Sequence, residues 1–257
     1  MKRWLLFLSL VISIGFCSAQ KKSLAFKSSI IGTKKVIMRH NSYNEDSTLT
    51  TWKDSLLIPV ASDKYPQLKK GLSEAIFDGD SLASIVKRFE AEGTGITETS
   101  YEIPFENKDV ISIKIYYECM GAHPDNYWVW HTLNVHTGKP YPISKEITIA
   151  GLKWIYHTYK ADLKKDVEAD RRGRKNDEDY KKNKEEYDET YKYLNEGIDL
   201  LSFKDMFTSY IFNKKGIVFT TDNFLPHGMQ PMEPGHDWFI PYTKLRRYKA
   251  ATAIMVK

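Results

Sequence analysis

Residues 109–136 read DVISIKIYYECMGAHPDNYWVWHTLNVH, and the alternation in this stretch decides the fold. Ile111, Ile113, Ile115, Tyr117 and Cys119 alternate with Ser112, Lys114, Tyr116 and Glu118. A period of two is the pattern of a strand with one buried and one wetter face. After residues 120–126 a second run puts Tyr127, Val129, His131, Leu133 and Val135 on one face. Trp128, Trp130, Thr132, Asn134 and His136 fall on the other. The two runs are close enough in sequence to pair as an antiparallel hairpin.

Working outward, Val36–Arg39 and Leu49–Val60 read as strands separated by the turn-like residues 41–44. Tyr65-Pro66 opens a helix with Leu68, Leu72, Ala75 and Ile76 at helical spacing. Asp78-Gly79-Asp80 breaks it, and Leu82, Ile85, Val86 and Phe89 give one face of a second helix. Downstream, Thr137-Gly138-Lys139-Pro140 punctuates the chain, and residues 145–200 read as helical. Lys160–Lys192 carries eleven basic and eleven acidic residues, the balance of a solvated helix laced with weak ion pairs. Arg172-Gly173-Arg174 divides it into two helices or a projecting helical hairpin. Ser202 followed by Phe203 reads as a helix start. Phe207–Phe212 and Ile217–Thr221 read as a second hairpin, and a Pro-, Gly- and Met-rich loop over 225–235 leads to Trp238–Tyr242. Strands in hairpins with helices between them predict an α+β fold with antiparallel sheets, packed helices and one long charged helical segment.

The chain has 257 residues, 42% hydrophobic and 28% charged, which excludes collagen-like, disulfide-stapled and wholly disordered classes. Lys2 and Arg3 precede an apolar stretch from Trp4 to Phe16 and the small residues Cys17 and Ala19. That is the pattern of a secretory signal over residues 1–19, cut after Ala19. The stretch is too short to span a bilayer, and bulky Phe16 argues against a lipid anchor on Cys17. The expectation is an exported protein of the periplasm or cell exterior, with no membrane span and residues 20–35 as a flexible lead-in. Losing Lys2 and Arg3 lowers the formal charge from +5 to +3, too mild a balance to imply nucleic acid. Only Cys119 would then remain, so no intrachain disulfide forms.

The order of several short motifs resembles a known pair of bacterial extracytoplasmic domains. Tyr65-Pro66, Ser112-Ile113, Met120-Gly121-Ala122-His123 and Thr137-Gly138-Lys139 resemble DUF4163, which sits at the front of some peptidoglycan deacetylases. Gly216-Ile217 and Gly235 followed by Ile240-Pro241-Tyr242 and Leu245 resemble its companion, DUF3298. The resemblance divides the chain into a DUF4163-like half over 36–142 and a DUF3298-like half over 143–257. The same pair forms the outer part of a lysozyme-sensing anti-sigma factor, which implies protein binding. One departure is Met120…Pro124 where the family has Gly-Gly-Ala-His-Gly; the other is the Pro- and Met-rich stretch His227–Gly235.

No residue pattern marks a reaction. Gly93-Thr94-Gly95 lacks the third glycine of a nucleotide loop, and no Walker, His-Glu-x-x-His or Gly-x-Ser-x-Gly motif occurs. No catalytic residues, metal ligands or cofactors are assigned. Cys119 has the parity of the apolar face and is expected to be buried there as a small hydrophobe. His131 and His136 point to opposite faces, and His123, His227 and His236 meet only if three loops converge. Glu118 and Asp125 are the one acidic pair placed for acid–base work, beside His123.

Two candidate binding surfaces remain. Tyr116, Trp128 and Trp130 share the face opposite the expected core, with Lys114, Glu118, Asn134 and His136 around them. The favoured expectation is that helices from 65–90 or 145–200 cover this face. If solvent reaches it, the aromatics form a platform for sugars or a protein. His227, Met229, His236 and Trp238 lie in the second candidate, an adaptable loop surface. With His123 these residues predict a non-enzymatic envelope binding module for a lysozyme-like protein or peptidoglycan. The alternatives are an enzyme or accessory domain acting on peptidoglycan, and a structural envelope protein.

Overall fold

A computed structural model describes residues 28–43, 47–77, 79–121, 124–226, 229–230, 233 and 235–257. The first layer comprises β1 (Ile31–Tyr43), β2 (Leu49–Ala61), α1 (Pro66–Ile76), α2 (Leu82–Glu92), β3 (Gly95–Glu106), β4 (Val110–Met120) and β5 (Asp125–Asn134). The second comprises α3 (Ile149–Gly173), α4 (Glu178–Lys182), α5 (Lys184–Leu200), β6 (Tyr210–Phe212), β7 (Gly216–Phe219), β8 (Trp238–Pro241) and α6 (Tyr242–Leu245). β1 to β5 form a five-stranded sheet in chain order, and β6 to β8 a three-stranded one. The fold is α+β. The expected signal and residues 20–27 lie outside the described residues.

The decisive antiparallel hairpin forms, with Ile113 opposite His131, Ile115 opposite Val129 and Tyr117 opposite Tyr127. Ile111, Ile113, Ile115 and Tyr117 are buried against Leu68, Leu72 and Ile76 of α1 and Ile85 and Phe89 of α2. Pro66 begins α1, where its missing N–H would have had no helical partner. The Ser81 side chain caps α2 by accepting from the Ser84 amide at 3.0 Å.

Four features depart from the sequence reading. The five-stranded sheet is mixed: β2 and β3 run parallel, with Leu56 beside Thr99, because α1 and α2 make the crossover between them. Strand β3 was not anticipated, since its buried side carries Thr97 and Thr99 and its interior holds Pro104. Strand β1 begins at Ile31 rather than Val36, so the last residues of the expected lead-in are strand, with Lys34 and Lys35 exposed. Between Ser202 and β6 stands a 3-10 turn, Asp205–Phe207, in place of the expected helix, with the Asp205 amide donating to the Ser202 hydroxyl at 3.1 Å.

The second layer buries Leu152, Ile155, Tyr159 and Leu163 of α3 and Tyr191, Leu194 and Ile198 of α5 against the small sheet. The layers meet through hydroxyls. Ser112 accepts from the Phe212 amide at 2.9 Å, and Thr132 donates to the Tyr210 carbonyl at 2.7 Å. Buried polar groups are thereby paired across the seam. Glu146, with no exposed surface, accepts from the Tyr141 hydroxyl at 2.7 Å and from the amides of Ile254, Met255 and Val256 at 3.1, 2.9 and 3.1 Å. Burial, then the Glu146 hydrogen bond, pushes the Tyr141 phenol well above its ordinary range.

The charged segment is the expected helical hairpin, with α3 ending at Gly173 and α5 returning alongside it. Asp188 fastens it, accepting from Lys184, from Arg171 at 2.9 Å and from the Tyr180 hydroxyl at 3.0 Å. The Lys184 and Arg171 hydrogen bonds hold its carboxyl at about 2, below the ordinary 3.8. A carboxylate whose pKa is depressed by folding stabilises above its unfolded value and loses that contribution as pH falls through the folded one. Circular dichroism from pH 5 to pH 2 is therefore expected to show helix loss setting in below about pH 4. Asp188→Asn should flatten that dependence, and the change will be modest because the pairs are exposed.

Candidate functional site

The β4–β5 hairpin serves two different surfaces, because its alternate residues point to opposite sides of the sheet. On the side away from α1 and α2, Lys114 lies opposite Trp130 and Tyr116 opposite Trp128. The Tyr116 and Trp128 rings are 5.3 Å apart and tilted by 54°. The Lys114 ammonium lies 4.9 Å from the Trp128 ring and 4.7 Å from the Trp130 ring, so a cation bridges the two indoles. Burial, then the charges of Glu118 and Glu98, raises the Tyr116 phenol above its usual range.

The favoured expectation, that helices cover this face and bury its tryptophans, fails at Trp128. Helices α1 and α2 pack on the opposite side, and β6 docks only at the Ser112–Thr132 end. Moving outward along β5 from that seam, Thr132 and Trp130 are both 6% exposed and Trp128 is 44% exposed. Trp130 is thus interior, while Trp128 with half-buried Tyr116 is open to solvent. Glu118 lies opposite Asn126 on the platform side, whereas Asp125 lies opposite Cys119. The two carboxylates considered as an acid–base pair therefore point to opposite faces.

The described members of the loop candidate turn inward. Glu233 accepts from the Phe224 amide at 3.1 Å, from the Leu225 amide and from His236 Nε2 at 2.5 Å. His236 Nδ1 lies 3.2 Å from the Thr221 hydroxyl, and the Tyr159 hydroxyl lies 3.0 Å from Thr221 and donates to the His236 carbonyl at 2.9 Å. Burial pushes the Tyr159 phenol up to about 12. Trp238 packs on Tyr159 with centroids 5.6 Å apart, and Met229 packs against the second core. This network fastens the loop to α3. His123 and His227 lie outside the described residues. Among the described residues no group of three or more His, Cys, Asp or Glu could hold a metal ion.

Sequence reading missed a cleft of about 530 Å³ on the helix side of the hairpin. Ile76, Phe77 and Ile85 form one wall, and Tyr117, Cys119 and Tyr127 the other. The two tyrosine rings stack at 5.2 Å and 22°, and the Tyr117 hydroxyl is anchored on the Ile76 carbonyl. Cys119, expected to be buried, is only partly so; burial still raises its thiol above the ordinary value, the Tyr127 hydrogen bond opposing. Apolar parity along β4 and β5 was the available signal, but it does not distinguish a packed wall from a hollow one.

No family model matches the sequence, and no curated protein matches it. Among solved structures, a DUF3298 family protein from Pseudomonas aeruginosa PAO1 is similar, with a TM-score of 0.50 and 14% identity, over 86% of this chain and 95% of that one. The fold is DUF3298-like. A second member, from Bacteroides fragilis NCTC 9343, gives a TM-score of 0.48 at 12% identity, over 88% of this chain and 96% of that one. At such identities the likeness concerns the fold alone. A share of 86% of 257 residues includes residues of both layers. Among the described residues no helix is long and apolar enough to cross a membrane.

Proposed function

We propose that this chain is an exported, non-enzymatic binding module of the bacterial cell envelope that takes cell-wall glycan on the platform of Tyr116 and Trp128. The observation that carries the reading is the exposure of Trp128, 44%, on a sheet face that its own helices leave open. An indole beside a phenol offers a flat apolar surface for a sugar ring, while Lys114 and Glu118 offer a donor and an acceptor for hydroxyls. Export rests on the signal pattern of residues 1–19. The DUF4163-like reading of residues 36–142 and the kinship with lysozyme-sensing proteins belong to the same proposal, and make a lysozyme-like protein the second partner to test.

Sedimentation with purified peptidoglycan is the direct test. Trp128→Ala is expected to weaken binding about tenfold or more, the loss typical of an aromatic anchor, with an unchanged far-ultraviolet spectrum. A variant that binds peptidoglycan like the parent sinks the platform reading. Capture of lysozyme without glycan would move the partner to a protein, and release of soluble fragments or acetate would overturn the non-enzymatic part.

A further inference from the structure

We infer that the cleft on the helix side of the β4–β5 hairpin binds a small amphiphile, its apolar body inside and a single carboxylate-like head at Arg88. This site lies on the opposite side of the sheet from the platform and does not depend on the glycan reading. Its volume, about 530 Å³, falls in the range of small-molecule sites, roughly 300–1,000 Å³. Its walls are mainly aliphatic and aromatic, which favours an apolar body. The formal charges that line it are Arg88 and Asp80, both half exposed.

The geometry of that pair selects the head group. The Arg88 guanidinium stands 3.7 Å from the Asp80 carboxylate, close enough to attract but too far for a hydrogen bond. A guanidinium presents a planar fork of donors that matches a carboxylate in two parallel bonds. Asp80 steadies the arginine without occupying the fork, and its own charge opposes an incoming anion. The two residues therefore pull the affinity in opposite directions. Cys119 in the wall reports on occupancy, because a body filling the cleft shields its sulfur.

Titration of the full chain with 1-anilinonaphthalene-8-sulfonate, followed by displacement with laurate, tests the site. Saturable one-to-one binding, competed by laurate, is expected. Arg88→Gln should weaken it about tenfold, the equivalent of one charge-assisted hydrogen bond. Asp80→Asn should strengthen it several-fold. Ala75→Phe, which fills a partly exposed position of the lining, should abolish it, and Trp128→Ala should leave it unchanged. Laurate should also slow alkylation of Cys119, read by peptide mass spectrometry, in the parent and not in Ala75→Phe. Absence of saturable binding, or binding indifferent to both Ala75→Phe and Arg88→Gln, overturns the site. A neutral hydrocarbon probe binding as well as laurate, with no response to either charge variant, overturns the anionic head.

Discussion

Glu146→Ala is expected to lower stability by about 3–5 kcal/mol, the scale of breaking a buried charged network. The Glu146 carboxylate takes one hydroxyl and three consecutive-segment amides, from Ile254, Met255 and Val256. Removing it leaves the Tyr141 hydroxyl and the Met255 and Val256 amides buried without an acceptor, each at about 1–3 kcal/mol before relaxation. The fully buried Val256 and the edge of the second core would loosen with them. Glu146→Gln keeps one carbonyl oxygen and should cost clearly less. Urea unfolding measures both. If Glu146→Ala unfolds within about 1 kcal/mol of the parent, the carboxylate is not what holds the C-terminal segment.

Gly138→Ala should be as damaging, for a steric reason. Gly138 sits at a φ of 68°, and a Cβ added there would lie 2.0 Å from the Gln67 carbonyl oxygen in α1. Left-handed backbone costs a non-glycine residue about 1–3 kcal/mol, and overpacking a similar amount, so a loss of about 3–5 kcal/mol is expected. Gly71 is the other half of the contact, since its added Cβ would meet the Gly138 oxygen at 1.9 Å. In an ordinary helix Gly→Ala gains up to about 1 kcal/mol. Gly71→Ala is expected to destabilise instead. A gain in thermal midpoint for Gly71→Ala would show that α1 and the turn after β5 do not need to touch.

These contacts explain part of what could be read from sequence. Thr137-Gly138-Lys139 is legible as punctuation, but not as the place where α1 rests. Gly216 is similar, because its added Cβ would strike the Ile240 oxygen at 2.1 Å across the β7–β8 pair. The β4–β5 hairpin, α1, α2 and the α3–α5 pair were legible because each shows its periodicity within one short window. Strand β3 was not, since Thr97 and Thr99 occupy the buried positions that aliphatics mark elsewhere. Its parallel pairing with β2 depends on where two intervening helices lie. The difference in exposure between Trp128 and Trp130, two residues apart on one face of β5, has no signal in that short window. Glu146 shows no local signal, because three of its partners, the amides of Ile254, Met255 and Val256, lie at the other end of the second half. The cleft is the least legible feature, since it is a space bounded by segments distant in sequence.

Alternate residues of β5 belong to different surfaces: Trp128 stands with Tyr116 on one side of the sheet while Tyr127 and Val129 line the cleft on the other. Inserting one amino acid between them would exchange the inner and outer sets beyond that point, whatever its chemistry. Spacing within this ribbon is thus an inherited quantity in its own right, and a lineage could rewrite either surface freely while the count between them stays fixed.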